Sequence, residues 1–270
     1  MQVIAITGGK GGVGKTNIAV NLSVALARSN LDVVLLDADL GLANVDVLMG
    51  LKVKKTLADF VSGEAGLDEI IISSDDGVRL IPAASGISSM ASLSTEARGQ
   101  LIQEISAQIS APDVLIVDTG AGIDETVQTF VSACEKVIVV VCDEPASLTD
   151  AYALIKVLSI VRGLKNFQIL VNQSDNELKS KQVFERLKVV ANKYLEVNLS
   201  YLGSIPTDIY LRQAVRERKP LVTAYPRSPA AQAIGGVAEK ILETGDKGSN
   251  VTNGLAFFFQ KMIARRPDQV

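Results

Sequence analysis

The stretch Val3-Ile4-Ala5-Ile6-Thr7-Gly8-Gly9-Lys10-Gly11-Gly12-Val13-Gly14-Lys15-Thr16 decides the fold. Its first half is a short apolar run of the kind that forms a buried strand. Its second half, Gly9 to Thr16, fits the spacing G-x-x-x-x-G-K-[ST] in full, and Thr16–Ser29 then reads as an amphipathic helix. In the order strand, glycine loop, helix, main-chain N–H groups can close around phosphate oxygens. Glycines let the amides turn inward with no Cβ in the way, and the helix aims the positive end of its dipole at the same anion. Lys15 is then placed to reach β- and γ-phosphates, and the Thr16 hydroxyl to meet Mg²⁺. A turn that merely joins strand to helix would not need Gly, Lys and Thr in register. Lys10 falls where the spacing accepts any residue, so spacing alone leaves it a solvated lysine or a ligand.

Outward from this loop, short β-branched runs alternate with longer amphipathic stretches. The strands are expected at Val3–Thr7, Val33–Leu36, Val78–Pro82, Val114–Val117, Val137–Cys142, Gln168–Val171 and Leu199–Ile205. Most lack polar alternation, as strands covered on both faces do. Helices are expected at Thr16–Ser29, Thr95–Gln108, Ile123–Cys134, Leu148–Arg162, Lys179–Tyr194, Ile209–Arg218 and Pro229–Glu243. This alternation predicts an α/β fold of the P-loop NTPase kind, with a mostly parallel sheet, right-handed crossovers and helices on both faces. The domain is expected to span 1–244. Residues 245–254 are polar and glycine-rich and read as a flexible linker, and a short tail, 255–266, follows.

Three acids close apolar strands or follow them: Asp37 after Val33-Val34-Leu35-Leu36, Asp39 two residues on, and Asp118 after Val114-Leu115-Ile116-Val117. An acid at the carboxyl end of a strand beside a phosphate loop can hold Mg²⁺ through water. Asp37 and Asp118 are assigned to the metal with Thr16, and one of Asp37 and Asp39 to the attacking water. A single such acid is more often a cap or turn residue. Three beside one phosphate loop favour chemistry.

The composition narrows the classes. With 27 Lys and Arg against 30 Asp and Glu, the net charge of -3 argues against nucleic-acid binding by the surface as a whole. There is no His to serve as a base or metal ligand at neutral pH. Cys134 and Cys142 lie in or beside an apolar run and read as buried thiols. No signal peptide and no membrane-spanning run is apparent, so a cytoplasmic chain is expected, at most peripheral to a membrane.

In the tail, Leu255, Phe258, Phe259, Met262 and Ile263 recur at helical spacing, with Lys261, Arg265 and Arg266 at or near the edge. A basic amphipathic helix after a linker suits an anionic membrane surface, entered through Phe257, Phe258, Phe259 and Met262 with help from Lys261. Burying one Phe contributes roughly 1.5–3 kcal/mol, and each cation near anionic lipid about 1 kcal/mol. The same stripe can instead dock on the protein itself or at a dimer interface.

Lys10 together with Lys15 in Gly8-Gly9-Lys10-Gly11-Gly12-Val13-Gly14-Lys15-Thr16 resembles the deviant Walker A loop of the MinD/ParA ATPases. Leu36-Asp37-Ala38-Asp39 resembles their second acidic motif, and Val117-Asp118-Thr119-Gly120-Ala121-Gly122 their Walker B and switch region. The runs from Leu36 to Leu48, Pro82 to Gly86 and Cys142 to Lys156 resemble the flagellar-number regulators within that family, the FleN/FlhG branch. The resemblance implies ATP and Mg²⁺ as ligands, slow hydrolysis, and a face-to-face homodimer with nucleotide between the subunits. It implies that Lys10 reaches the partner subunit's phosphates, that Asp39 positions the hydrolytic water, and that Asn172, Pro206 and Asp208 lie at the adenine. It also implies a signal-recognition-type GTPase (FlhF) and an enhancer-binding flagellar activator (FleQ) as partners, and a peripheral, ATP-dependent place at the inner face of the membrane.

Two departures from the family pattern bear on these expectations. Met1 leads straight into the first strand, so the N-terminal extension by which some flagellar members stimulate the GTPase is expected to be missing. Gly120 stands where Ala is common and is expected to loosen the switch slightly. A DNA-partitioning factor is the competing reading, with Arg212, Arg216, Arg218 and Lys219 as its basic cluster. An iron–sulfur carrier is disfavoured because Cys134 and Cys142 do not form a C-x-x-C pair. The run Asn172-Gln173-Ser174-Asp175 has the N-x-x-D spacing of a guanine reader without its Lys, and Asp175 reads as a turn acid.

Overall fold

The computed structural model describes residues 1–39, 44–82, 112–243 and 258–261. Eight strands form one sheet: β1 Gln2–Gly8, β2 Val33–Ala38, β3 Ile72–Ser73, β4 Val78–Pro82, β5 Val114–Ala121, β6 Lys136–Val141, β7 Asn166–Ser174 and β8 Asn198–Pro206. Their order across the sheet is β3-β4-β2-β5-β1-β6-β7-β8. Every pairing is parallel except β3 with β4. All seven expected strands are present, Val78–Pro82 with the expected bounds. The added strand β3 is a two-residue antiparallel edge, too short to show a period in the sequence.

The helices are α1 Lys15–Ala27, α2 Val45–Met49, α3 Leu57–Val61, α4 Leu67–Ile70, α5 Glu125–Ala133, α6 Pro145–Arg162, α7 Glu177–Tyr194, α8 Ile209–Arg216, α9 Leu221–Ala224 and α10 Pro229–Glu243. Helix α6 starts three residues before the expected Leu148, because Pro145 sits in its first turn, where a fixed φ is an asset. Helix α8 stops short of the expected Arg218. That residue takes a left-handed φ of 52°, and Pro220 cannot extend the helix. The expected helix Thr95–Gln108 and the linker 245–254 lie outside the described residues.

Two apolar layers follow from strands buried on both faces. On one face Ile4, Ile6, Leu35, Ile116 and Ile138 pack with Ile18 and Leu22 of α1 and Ile234 and Ile241 of α10. On the other, Ala5, Leu36, Val117 and Val139 pack with Phe130 of α5, Leu154 of α6 and Leu187 of α7. The β8 edge is partly masked by α10, whose Lys240 Nζ donates to the Leu202 carbonyl at 2.9 Å.

Phe258 and Phe259 belong to the second layer. Each is 1% exposed, with ring centroids 5.4 Å apart in an edge-to-face arrangement. Residues 258–261 are helical, and the Lys261 charge bears on the buried Cys134 at the end of α5. In this conformation the two described rings of the tail, Phe258 and Phe259, therefore face the protein's own core. Replacing both rings, Phe258→Ala with Phe259→Ala, is expected to undock the tail. Tryptic cleavage after Lys261 should accelerate and the melting temperature should fall, since each buried ring is worth about 3–5 kcal/mol at most. Unchanged proteolysis would show that the rings do not hold the tail.

Candidate nucleotide and metal site

The strand order places the site. β1 lies between β5 and β6, and β5 lies between β1 and β2, so the phosphate loop after β1 shares the carboxyl edge with the ends of β2 and β5. The register pairs Asp37 with Asp118 and Ile6 with Asp118. Ile116 and Leu35 face the α1 layer, and the alternation of side chains puts Asp118 and Asp37 on that face too.

The loop Gly9–Gly14 is clamped from two sides. A Cβ at Gly9 would lie 2.1 Å from the Asp150 carbonyl oxygen of α6, so only glycine lets loop and helix meet. Gly14 takes φ 91°, and a Cβ there would lie 2.4 Å from Asn172 Nδ2. From β7, Asn172 Nδ2 donates to the Val13 carbonyl at 2.8 Å, and Gln173 Nε2 to the Gly12 carbonyl at 3.3 Å. The loop carbonyls are thereby drawn outward. At Gly11 and Gly12 nothing lies within 4 Å of where a Cβ would stand. Helix α1 starts without a side-chain cap or an acid in its first turn, which leaves its N-terminal amides and dipole to an anion.

Beneath the loop is a dehydrated cluster of charge. Asp118 is fully buried, Asp37 is 2% exposed and Lys15 7% exposed. Burial pushes Asp118 up to about 8; the neighbouring Asp37 and Asp39 push the same way, while Thr16 and Lys15 oppose. Thr16 acts from outside hydrogen-bond geometry, since neither oxygen of Asp118 has a hydrogen-bond partner. Burial likewise raises Asp37 to about 6, although its oxygens accept from the Asp39 and Val45 amides at 3.2 and 3.4 Å. Burial lowers the Lys15 pKa, and Asp118 and Asp39 hold it up.

A buried carboxylate with two unpartnered oxygens, next to a second one, suits a hard divalent cation, and Mg²⁺ takes oxygen ligands of this kind. Among the described residues no three His, Cys, Asp or Glu form a metal-holding group by themselves. Thr16 and phosphate oxygens would have to complete the shell. Cys134 and Cys142 are buried and unbridged, with thiols raised by burial, Cys142 to about 11.

The remaining expected residues occupy distinct places. Lys10, on the open rim, is ion-paired with Glu144 immediately before α6. Asp39 stands close to Gly120, where a Cβ would lie 3.4 Å from its Oδ1, an ordinary contact that an alanine also permits. Asn172 is buried against the loop. Asp208 accepts from the Tyr210 amide at 2.9 Å and the Ala230 amide at 3.0 Å, tying the starts of α8 and α10 together. Pro206 ends β8 opposite Ser174 of β7. Asp175 pairs with Lys179 one turn along, as a turn acid does. Sequence reasoning missed Glu144, Asp150 and Gln173. Asp150 acts through its main chain and Glu144 through an element over a hundred residues from Lys10, so no local spacing marks them.

A buried acid pair behind a clamped glycine loop and an uncapped helix defines the site of a P-loop NTPase. A family model described as ParA, NUBPL iron-transfer P-loop NTPase, matches residues 1–242. Antiactivator FleN of Pseudomonas aeruginosa is 46% identical over 263 residues, covering 97% of this chain and 94% of that protein. Flagellum site-determining protein YlxH of Helicobacter pylori is 38% identical over 266 residues, covering 97% and 90%. The MinD of the MinC:MinD cell division protein complex from Aquifex aeolicus superposes with a TM-score of 0.73 at 26% identity, covering 93% of this chain and 99% of that one. MinD from Pyrococcus horikoshii, solved with Mg-ADP, gives 0.67 at 27% identity, covering 89% and 95%. This chain belongs to the MinD/ParA family of P-loop ATPases, in the branch that holds the flagellar regulators FleN and YlxH.

Two predictions follow from the geometry. Gly9→Ala forces the loop off α6 and is expected to weaken nucleotide binding by about tenfold or more in calorimetry. In the nucleotide-free protein, Asp118 and Asp37 hold protons that the unfolded chain releases near pH 3.9. Their contribution to stability is complete below that pH and is lost as the pH rises through about 6 and then about 8. Asp118→Asn should therefore raise the apo protein's stability at pH 8 by about 2 kcal/mol and flatten its pH dependence, read by urea unfolding at pH 5 and 8.

Proposed function

We propose that this chain is an ATP-dependent dimerisation switch with slow, Mg²⁺-dependent ATPase activity that regulates flagellar number or placement and flagellar gene expression. The observation that carries this reading is the fully buried, unpartnered Asp118 carboxylate beside Asp37, Lys15 and Thr16 beneath the clamped loop. Amides of Gly9, Gly11, Gly12, Val13 and Gly14, with those opening α1, would hold the phosphates, and Lys15 would neutralise them from below. Thr16, Asp37 and Asp118 would hold Mg²⁺, which supplies positive charge against the phosphate oxygens. Asp39, at the open edge of the acid cluster, would orient the attacking water. Asn172, Pro206 and Asp208 would bracket an adenine. The exposed Asp175–Lys179 pair leaves no aligned guanine reader and supports ATP over GTP.

Lys10 is the part of the site that acts between subunits in this proposal. Its ammonium would leave Glu144 for the phosphates of a second copy, so nucleotide would sit between two chains. The docked Phe258 and Phe259 supply the output. Dimerisation would release the tail, and two released tails would bind an anionic membrane with avidity that one lacks. The partners proposed are an enhancer-binding flagellar activator such as FleQ, in keeping with the antiactivator FleN, and a signal-recognition-type GTPase such as FlhF. Among the described residues no helix is long and apolar enough to cross a membrane, and a peripheral, nucleotide-controlled attachment is the form proposed.

Light scattering after size exclusion, with ADP and with ATP, tests the switch. Asp39→Ala is expected to bind ATP and stay dimeric while hydrolysing it at least about a hundredfold more slowly. Lys15→Gln should give no ATP-dependent dimer. ATP should displace a fluorescent analogue better than GTP, and liposomes of anionic lipid should co-sediment the protein with ATP but not with ADP. Normal turnover by Asp39→Ala would move the water-positioning role elsewhere, and equal sedimentation under both nucleotides would sever tail release from dimerisation.

A further inference from the structure

Helix α8 buries only Ala214. Its outer face carries Ile209, 77% exposed, and Val215, 38% exposed, around Arg212 and Arg216. Residues at i, i+3 and i+7 share a helix face, so Ile209, Arg212 and Arg216 form one stripe, with Val215 beside it. Arg218 and Lys219 extend the charge past the helix end, and Arg227 faces solvent on the neighbouring loop. Among the described residues none of these five cations has an ion-pair partner. Glu217, the acid within this cluster, is engaged by the Tyr225 hydroxyl at 2.7 Å and Gln213 at 3.2 Å. In a chain with net charge -3, this is a concentrated positive patch.

Beside it opens a cavity of about 370 Å³, lined by Tyr210, Ala224, Tyr225, Pro226, Arg227 and Pro229. The two tyrosine rings stand 5.0 Å apart and tilted by 33°, and together they give the cavity an aromatic surface. The cavity has room for one large side chain. Tyr and Arg around an apolar pocket, with charge at the rim, is the make-up of a protein-binding hot spot. Exposed Ile209 and Val215 favour a peptide over a nucleic acid, which offers little aliphatic surface beyond the thymine methyl to cover them.

We propose that α8 and the tyrosine pocket form a docking site for an acidic protein segment, which places one aromatic side chain in the cavity lined by Tyr210, Tyr225 and Pro229 and sets carboxylates against Arg212, Arg216 and Arg227. None of these cations is among the residues assigned to the phosphates. The site reads a short acidic stretch with an aromatic anchor, and the charge speeds encounter while the anchor sets residence.

The test uses the full chain and labelled twelve-residue peptides with one Trp flanked by no Glu, two Glu, four Glu or four Lys, measured by fluorescence anisotropy. Affinity is expected to rise with Glu content by about tenfold or more and to fall with added salt. Arg212→Glu with Arg216→Glu should remove that gain while ATP turnover is unchanged. Tyr225→Ala should weaken all the Trp peptides alike, with a circular dichroism melt confirming that the variant is folded. Affinity independent of Glu content, or equal binding by the double variant, would overturn the proposal. Tighter binding of a twelve-nucleotide thymidine strand than of the four-Glu peptide would overturn it in favour of a nucleic-acid surface.

Discussion

The glycine loop between β1 and α1 keeps its Gly12 and Val13 carbonyls turned toward β7 because it is held at both ends by other elements. Gly9 lies directly on the main chain at Asp150, and Asn172 reaches from β7 to the Val13 carbonyl. Without the first contact the loop would drift from α6, and without the second its carbonyls could turn toward the anion. An anion site made of main-chain dipoles works through preorganisation, because dipoles that must reorient lose most of their advantage over water. The clamp also links the loop mechanically to α6. Whatever moves the loop moves the helix whose start carries Glu144, the partner of Lys10.

Beneath that loop, the parallel register of β2 with β5 sets two carboxylates side by side in a place without water. The arrangement is costly for the empty protein, which answers by holding protons at pH values where surface acids have none. A cation held there would reverse the balance. Burial shifts these acids more than any single contact does. Lys15 completes the cluster from the helix side, and burial lowers its pKa while Asp118 and Asp39 hold it up.

The tail applies the same logic with apolar groups. Phe258 and Phe259 are kept under cover by the layer formed by α5, α6 and α7. The patch on α8 differs, since its cations and aliphatics stand open. The two surfaces lie on opposite sides of the sheet's chemistry. One is buried against the core layer away from α1, and the other caps the elements after β8, where Asp208 ties α8 to α10.

Much of this was legible from residue order. Seven strands, the class of the sheet, the phosphate loop and the three acids rest on local signals: apolar runs of strand length, a fixed glycine spacing, and an acid at a strand end. Tertiary structure alone decided what those residues meet. That Asp37 and Asp118 are partners depends on β2 and β5 being neighbours, although 75 residues lie between β2's last residue Ala38 and β5's first, Val114. The clamp by Asp150 and Asn172, the pairing of Lys10 with Glu144, and the burial of Phe258 and Phe259 are contacts between segments far apart in the chain. The sequence determined which groups carry charge, flexibility and apolar surface, because these are properties of single residues and short periods. Which of those groups are dehydrated, paired or covered was left to the fold, because a pKa, a clamp and a docked ring exist only between elements brought together in space.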